Sequence, residues 1–315
     1  MKPAGAAALP PPGLRYPRSG HLRARVLREL LLELFAMKPA RVSPLFVLPI
    51  LTGLLMLASC RHGNPGCDCP ASRFESGAYF SQIYEDYVLD YVFQNQKMGY
   101  YVDVGANDPN HDSVTKIFYE RGWRGVNIEP NTDEFKKIVR ARPRDINYNV
   151  GISDTEGTLP FYLAPGGEDA LSTFDKANAD TLSKKRGTTF TEIPIPVTTL
   201  NKILRQAALP EISFVSIDVE GFEAHVLRSI DFKEFHPAVF CIEATEPTTE
   251  TPSYQAWESL LLENNYVFAM HDGLNRYYVH KDHVSSLLPR FVFIDMCVKR
   301  SKLKRHVKLN GYNSW

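Results

Sequence analysis

Tyr100-Tyr-Val-Asp-Val-Gly-Ala-Asn-Asp108 is an apolar run closed by an acid and a glycine, and Gly125-Val-Asn-Ile-Glu-Pro130 is a second run closed by an acid. A parallel α/β sheet presents a nucleoside pocket in this way. Gly105 lets the backbone turn tightly and approach a ligand, and a carboxylate at the tip of the next strand grips two ribose hydroxyls. Dinucleotide enzymes carry Gly-x-Gly-x-x-Gly, so that a pyrophosphate sits on a helix N-terminus. Here Gly105 stands alone, Ala106-Asn-Asp-Pro109 comes next, and Asp103 precedes the turn. An acid at that place repels phosphate and suits the ammonium of a methionine moiety. The pattern points to S-adenosylmethionine, with an NAD-dependent oxidoreductase as the rival enzyme reading.

Working outward, strand and helix signals alternate from Phe74 onward. Apolar residues recur at helical spacing from Phe80 to Phe93. Strands are expected at 99–104, 124–129, 145–150, 158–163, 193–197, 212–219 and 238–243. The helices between them are expected at 113–121, 132–142, 199–207, 220–230 and 253–264. The prolines of Ile193–Val197 predict an edge strand. Residues 166–189 read as a long irregular loop, a candidate lid over the acceptor. Val267–Met270 and Tyr277–Val279 form a hairpin around Gly273 that closes the sheet. The sum is an α/β fold with a doubly wound, mostly parallel sheet and an antiparallel C-terminal strand. Ligands of such sheets lie beyond the carboxyl ends of the strands, where the strand order reverses.

The chain has 315 residues, with 36 Lys and Arg against 36 Asp and Glu. That balance gives no global electrostatic case for nucleic acid. Residues 1–73 read as an extension, 74–300 as the catalytic domain, and 301–315 as a basic tail continuing Lys299-Arg-Ser-Lys-Leu-Lys-Arg305. Val42 to Cys60 carries no charge. Pro44, Pro49 and Gly53 interrupt it, which suits a signal-peptide apolar region or a weak anchor better than a spanning helix. Leu57-Ala-Ser-Cys60 resembles a lipoprotein cleavage box, and Met37-Lys-Pro-Ala-Arg41 would supply its positive start. Basic residues before the run send the downstream chain away from the cytoplasm, where S-adenosylmethionine is made. Membrane association through 42–60 and a cytoplasmic domain with a later start both stay open. Cys67 and Cys69 lack the partners of a zinc site, while Cys241 and Cys297 read as small core residues.

Several motifs together carry a family resemblance. Tyr101-Val-Asp-Val-Gly-Ala-Asn-Asp-Pro109, Phe118-Tyr-Glu-Arg-Gly-Trp-Arg-Gly-Val-Asn-Ile-Glu-Pro130 and Ser216-Ile-Asp-Val-Glu-Gly-Phe-Glu-Ala-His-Val-Leu227 resemble FkbM-type methyltransferases. So do Ser81-Gln-Ile-Tyr-Glu-Asp86 and Phe268-Ala-Met-His-Asp-Gly-Leu-Asn-Arg-Tyr-Tyr-Val279. The resemblance spans roughly residues 78 to 297 and implies a class I (Rossmann-like) S-adenosylmethionine-dependent methyltransferase. It also implies action on hydroxyls of sugars or secondary metabolites, with a small-molecule or glycan acceptor as partner. Tyr84 departs from the pattern, standing where relatives often carry glycine.

Roles come from strand position and chemistry. Asp103, Gly105, Ala106 and Asn107 are expected to cradle the methionine part, with Asp103 facing its ammonium, and Glu129 to accept the ribose hydroxyls. Asp154 lies just after the third strand and is a candidate for the adenine amino group, with Ile152 on the ring. Asp218 and Glu220 end the fourth strand beside the expected methyl group, as general base or as orienting groups for cofactor and acceptor. Glu243, His271, Asp272, Asn275 and Arg276 are candidates for acceptor binding, against ordinary strand-end and turn roles. His225 reads as structural. No metal is required by this chemistry, although Asp218, Glu220, Glu243 and His271 are of the types that bind a divalent ion. A non-catalytic nucleoside- or glycan-binding module on the same fold is the reading from a different class.

Overall fold

The computed structural model describes residues 79–166 and 169–300. The apolar segment 42–60, cysteines 60, 67 and 69, and the tail 301–315 lie outside the described residues. Among the described residues no helix is long and apolar enough to cross a membrane.

Helix α1 (Glu85–Val92) begins at Glu85 rather than Phe80. The Asp86 carboxylate turns back to accept the amides of Phe80 and Ser81 and the Ser81 hydroxyl, which fixes that stretch as a turn. Tyr84 completes the turn at φ 84°, a conformation that favours glycine. Next come β1 (Tyr100–Val104), α2 (Lys116–Glu120), β2 (Arg124–Ile128), α3 (Thr132–Ala141) and β3 (Ile146–Tyr148). The expected strand 145–150 is shortened to β3, and just beyond it β4 (Gly151–Ile152) joins a second sheet with β5 (Gly157–Leu163) and β6 (Thr191–Thr198). Between β5 and β6 lies α4 (Lys176–Arg186). The chain continues through α5 (Leu200–Ala207), β7 (Phe214–Ile217), α6 (Glu223–Arg228), β8 (Val239–Glu243) and α7 (Glu258–Glu263). It ends with β9 (Tyr266–His271), β10 (Asn275–His280) and α8 (Val284–Arg300).

The main sheet has the order β3-β2-β1-β7-β8-β10-β9. Strands β1, β2, β3, β7 and β8 run parallel, and β10 is antiparallel to both neighbours. This is the class I methyltransferase arrangement that the sequence resemblance implies. Neighbours along each central strand face opposite layers. Tyr101, Phe214, Val239, Cys241 and Tyr277 join the core beneath α1, α2 and α8, where Phe118 and Trp123 also pack. Val102, Val104, Val215, Ile217, Phe240 and Ile242 join the core beneath α5, α6 and α7. Strands buried on both faces read as continuous apolar runs, which makes them visible in the sequence.

Two expectations need correction. Residues 166–189 are not an irregular loop. They hold α4, capped by the Asp175 carboxylate on the amides of Ala177 and Asn178 and closed by Gly187 at φ 68°. Strand β6 is central in its sheet, not an edge. Its prolines are tolerated because β4 reaches only Val197 and Thr198, so β6 beside Pro194 and Pro196 pairs on one side alone. Cys241 and Cys297 are both buried in the core as expected; Cys241 is free and Cys297 is in addition disulfide-bonded.

Candidate active site

The carboxyl ends of β1, β2 and β7 converge on a cleft whose walls include Gly105, Asn107, Glu129, Ile152, Phe174 and Asp218. Its empty space, open mouth included, is about 520 Å³, within the usual range for small-molecule sites. Position Gly105 admits only glycine. Its φ is 84°, and a Cβ there would overlap the carbonyl oxygen of Asp218. The turn that it allows is stitched to the tip of β2. The amides of Gly105 and Ala106 donate to the Ile128 carbonyl at 3.0 and 3.2 Å. The Asn107 amide donates to Glu129 Oε2 at 2.9 Å, and the Asn131 amide to Glu129 Oε1 at 2.7 Å. Glu129 is thus oriented before any ligand arrives, and each oxygen keeps a lone pair. Burial raises its pKa to about 7.

The other end of the cleft is acidic. Asp218 lies just past β7, Glu220 sits in the next turn, and Glu243 ends β8. One carboxylate oxygen from each lies within 4.8 Å of the other two. Asp218 opens onto the cleft while protein crowds its remaining sides, and this desolvation holds its pKa at about 6. Its carboxylate accepts the Glu220 amide. Glu220 and Glu243 are pushed well above the carboxylate range, first by burial and then by the neighbouring acids.

The turn carrying these groups is held from two directions. Glu223, buried at the start of α6, accepts the amides of Gly221 and Val219 at 3.0 and 3.4 Å. Thr173 Oγ1 and Asn178 Nδ2 donate to the Glu220 carbonyl at 2.9 and 3.1 Å. Glu220 has φ 54° and Gly221 φ 98°, backbone that persists only where its surroundings over-determine it.

A profile of the methyltransferase FkbM domain matches residues 103–268. The chain belongs to the FkbM methyltransferase family. It is accordingly an S-adenosylmethionine-dependent methyltransferase. A Bacillus cereus O-methyltransferase, solved in complex with SAH, is 12% identical, with coverage of 66% of this chain and 84% of that one and a TM-score of 0.32. A search of curated proteins gives no match.

Within this FkbM domain the residues expected from sequence separate into two groups. Gly105, Asn107, Glu129, Ile152, Asp218 and Glu220 all line the one cleft, and Glu243 stands behind its acidic end. Asp103 and Ala106 are buried but form no part of the cleft wall. Asp103 alternates to the opposite face of β1, where its Oδ2 accepts the Thr115 hydroxyl at 2.7 Å. Asp154 is also away from the wall. Its carboxylate pairs with His225 Nδ1 at 2.9 Å, which lowers its pKa, and faces Arg228 at 4.0 Å. His225 in turn stacks on Phe222, with ring centroids 4.0 Å apart, and Phe222 lines the cleft. Asp154 thus braces the cleft wall through His225 and Phe222.

The hairpin residues bond to one another and to neighbouring elements. Asp272 accepts the amides of Leu274 and Asn275 and the Tyr277 hydroxyl, closing the turn at Gly273. Asn275 donates to the buried Glu85 carboxylate at 2.9 Å. His271 Nδ1 bonds the Asn275 carbonyl at 2.9 Å. Arg276 pairs with Glu258 at 2.6 Å and lies on the rings of Tyr254 and Phe268. None of the four lines the cleft. Sequence reasoning missed Glu223, Thr173, Asn178 and Phe174. A signal for Glu223 exists in the repeated acids of Asp218-Val-Glu-Gly-Phe-Glu223; the other three depend on how α4 docks.

Proposed function

We propose that this enzyme transfers the methyl group of S-adenosylmethionine to a hydroxyl of a sugar or secondary metabolite. The observation that carries the reading is a single cleft with a pre-oriented Glu129 at one end and the Asp218–Glu220–Glu243 acids at the other. Glu129 would take the ribose hydroxyls, Ile152 the adenine ring, and the amides and side chains of the Gly105–Asn107 turn the methionine part. The sulfonium is already activated, so the protein's task is to align the acceptor and exclude water. As the acceptor oxygen attacks the methyl carbon, the carbon–sulfur bond breaks, a neutral thioether leaves, and the hydroxyl proton must go to a base. Asp218 fits that role best. It opens onto the cleft and its pKa of about 6 leaves it ionised yet basic near neutrality, whereas Glu243 stands behind the cleft and burial pushes both Glu220 and Glu243 well above the carboxylate range.

Calorimetry with S-adenosylhomocysteine, then labelled methyl transfer to a panel of glycans, alcohols and amines, tests the proposal. Saturable binding with transfer only to hydroxyls is expected. Asp218→Asn should keep binding within about threefold and slow transfer by about 100-fold or more. Transfer to amines alone would overturn the acceptor class.

We further propose that the segment 42–60 attaches the enzyme to a membrane with its catalytic domain in an oxidising compartment. Two features support it: basic residues precede the apolar run, and Cys297 is disulfide-bonded, a state such compartments preserve. Protease protection in sealed vesicles is the expected result. Recovery of the full chain as soluble protein with a reduced Cys297 would reject it.

A further inference from the structure

The acids at the end of β7 and β8 are arranged for more than proton transfer. Two segments bring three carboxylate oxygens within 4.8 Å of one another: Asp218 and Glu220 from the turn after β7, and Glu243 from the tip of β8. Glu243 is 4% exposed, and its Oε2 is buried without a hydrogen-bond partner; Oε2 of Glu220 is likewise buried and unpartnered. A buried polar atom that meets no donor costs on the order of 1–3 kcal/mol, more when charged. Such oxygens are kept where something else satisfies them.

We propose that Asp218, Glu220 and Glu243 bind one hard divalent cation, of the Mg²⁺ or Ca²⁺ kind, beside the acceptor end of the cleft. The donor set is all carboxylate oxygen, which such ions prefer over thiolate or imidazole. The spacing fits as well. Oxygens on opposite sides of an ion that sits about 2.0–2.6 Å from each are about 4–5 Å apart, and the three ligand atoms here span at most 4.8 Å. The turn is rigid: Glu223 holds its amides and Thr173 and Asn178 its carbonyl, so the carboxylates do not need to assemble around the ion. The catalytic use of the ion rests on the hydroxyl-methylation reading: bound between the acids, it would hold the acceptor oxygen against the methyl group and ease loss of its proton. Asp218 spends one oxygen on the ion and keeps the other for that proton. Binding itself rests on the geometry alone.

The full chain, stripped with chelator, is titrated with Mg²⁺, Ca²⁺ and Mn²⁺ separately by calorimetry and thermal melting, with S-adenosylhomocysteine titrated in parallel. One saturable ion per chain and a melting temperature that rises with ion concentration are expected. Glu243→Gln and Glu220→Gln should each weaken ion binding at least tenfold. Each variant should still unfold cooperatively in the absence of ion, which separates the loss of a ligand from the loss of the fold. No saturable binding of any of the three ions up to 10-fold above cellular Mg²⁺, or equal binding by the parent chain and Glu243→Gln, overturns the proposal. Binding of S-adenosylhomocysteine without ion binding removes this inference only; ion binding without S-adenosylhomocysteine binding removes the cleft's cofactor reading instead.

Discussion

Gly105 answers to two constraints at once, a left-handed φ of 84° and a backbone neighbour where a side chain would begin. Gly105→Ala should therefore cost more than the roughly 1–2 kcal/mol of an alanine forced to positive φ. The expected readouts are a lower melting temperature and an affinity for S-adenosylhomocysteine at least tenfold weaker. Glu129 and Asp154 give a sharper contrast. Both are candidate cofactor ligands by sequence, but only Glu129 faces the cleft, with two backbone amides already on its oxygens. In Glu129→Gln an NH₂ group must oppose one of those amides. Affinity for S-adenosylhomocysteine should fall by about 10- to 100-fold, the cost of an unmet buried donor. Asp154→Asn should change it by less than about threefold, since its lost partners are His225 and Arg228 at a half-exposed pair.

At the scale of the element, α4 is the part whose role its sequence conceals. Its residues are mostly polar, and it buries only Ala179 and Leu182, so no apolar stripe announces it. Three local features fix it: the Asp175 cap, the Lys176–Asp180 pair one turn apart and the Gly187 stop. Its first turn carries Asn178 to the Glu220 carbonyl. Asp175→Ala should destabilise by about 1 kcal/mol, a fall of about 2–4 °C for a domain of this size. Asn178→Ala should spare cofactor affinity and lower the transfer rate by several-fold, because the turn bearing the acids loses a tie. Equal rates for Asn178→Ala and the parent chain would show that Thr173 alone suffices. Strand β6 departs from its sequence expectation for a related reason. Pro194 and Pro196 cannot donate ladder bonds, yet the two-residue β4 leaves them free to sit in a middle strand.

For the whole molecule, the dominant electrostatic fact is the number of carboxyl groups taken out of water. Burial raises Glu85 to about 8, Glu129 and Glu223 to about 7, and Asp103 and Asp218 to about 6, from ordinary values near 4. Between those ordinary values and pH 8 the folded chain holds more protons than the unfolded one, so stability falls as pH rises through that window. His280, whose pKa burial lowers, works in the opposite sense but is a single group. Ion-free and cofactor-free protein should melt at least about 5 °C higher at pH 5.5 than at pH 8, a shift worth a kcal/mol or two for this size of domain. A melting temperature that climbs over the same range would mean that these acids are solvated or paired in solution.

Alternation of apolar runs with amphipathic ones, together with a lone glycine between two strand-end acids, was enough to specify the α/β class, the parallel central sheet and the Gly105–Glu129 side of the cleft. Those features are local: a strand buried on both faces must be apolar, and a turn at positive φ with no room for Cβ must be glycine. Which acids face the cleft was decided by tertiary packing. Asp103 and Asp154 carry the same chemistry as Glu129 and Asp218, but strand pleat and the docking of α2 and α6 turn the first pair toward Thr115 and His225. The hairpin polar groups were likewise consumed by one another and by Glu85. A side chain's type is written in the sequence; the direction in which it can still offer a free lone pair depends on neighbours brought from far along the chain.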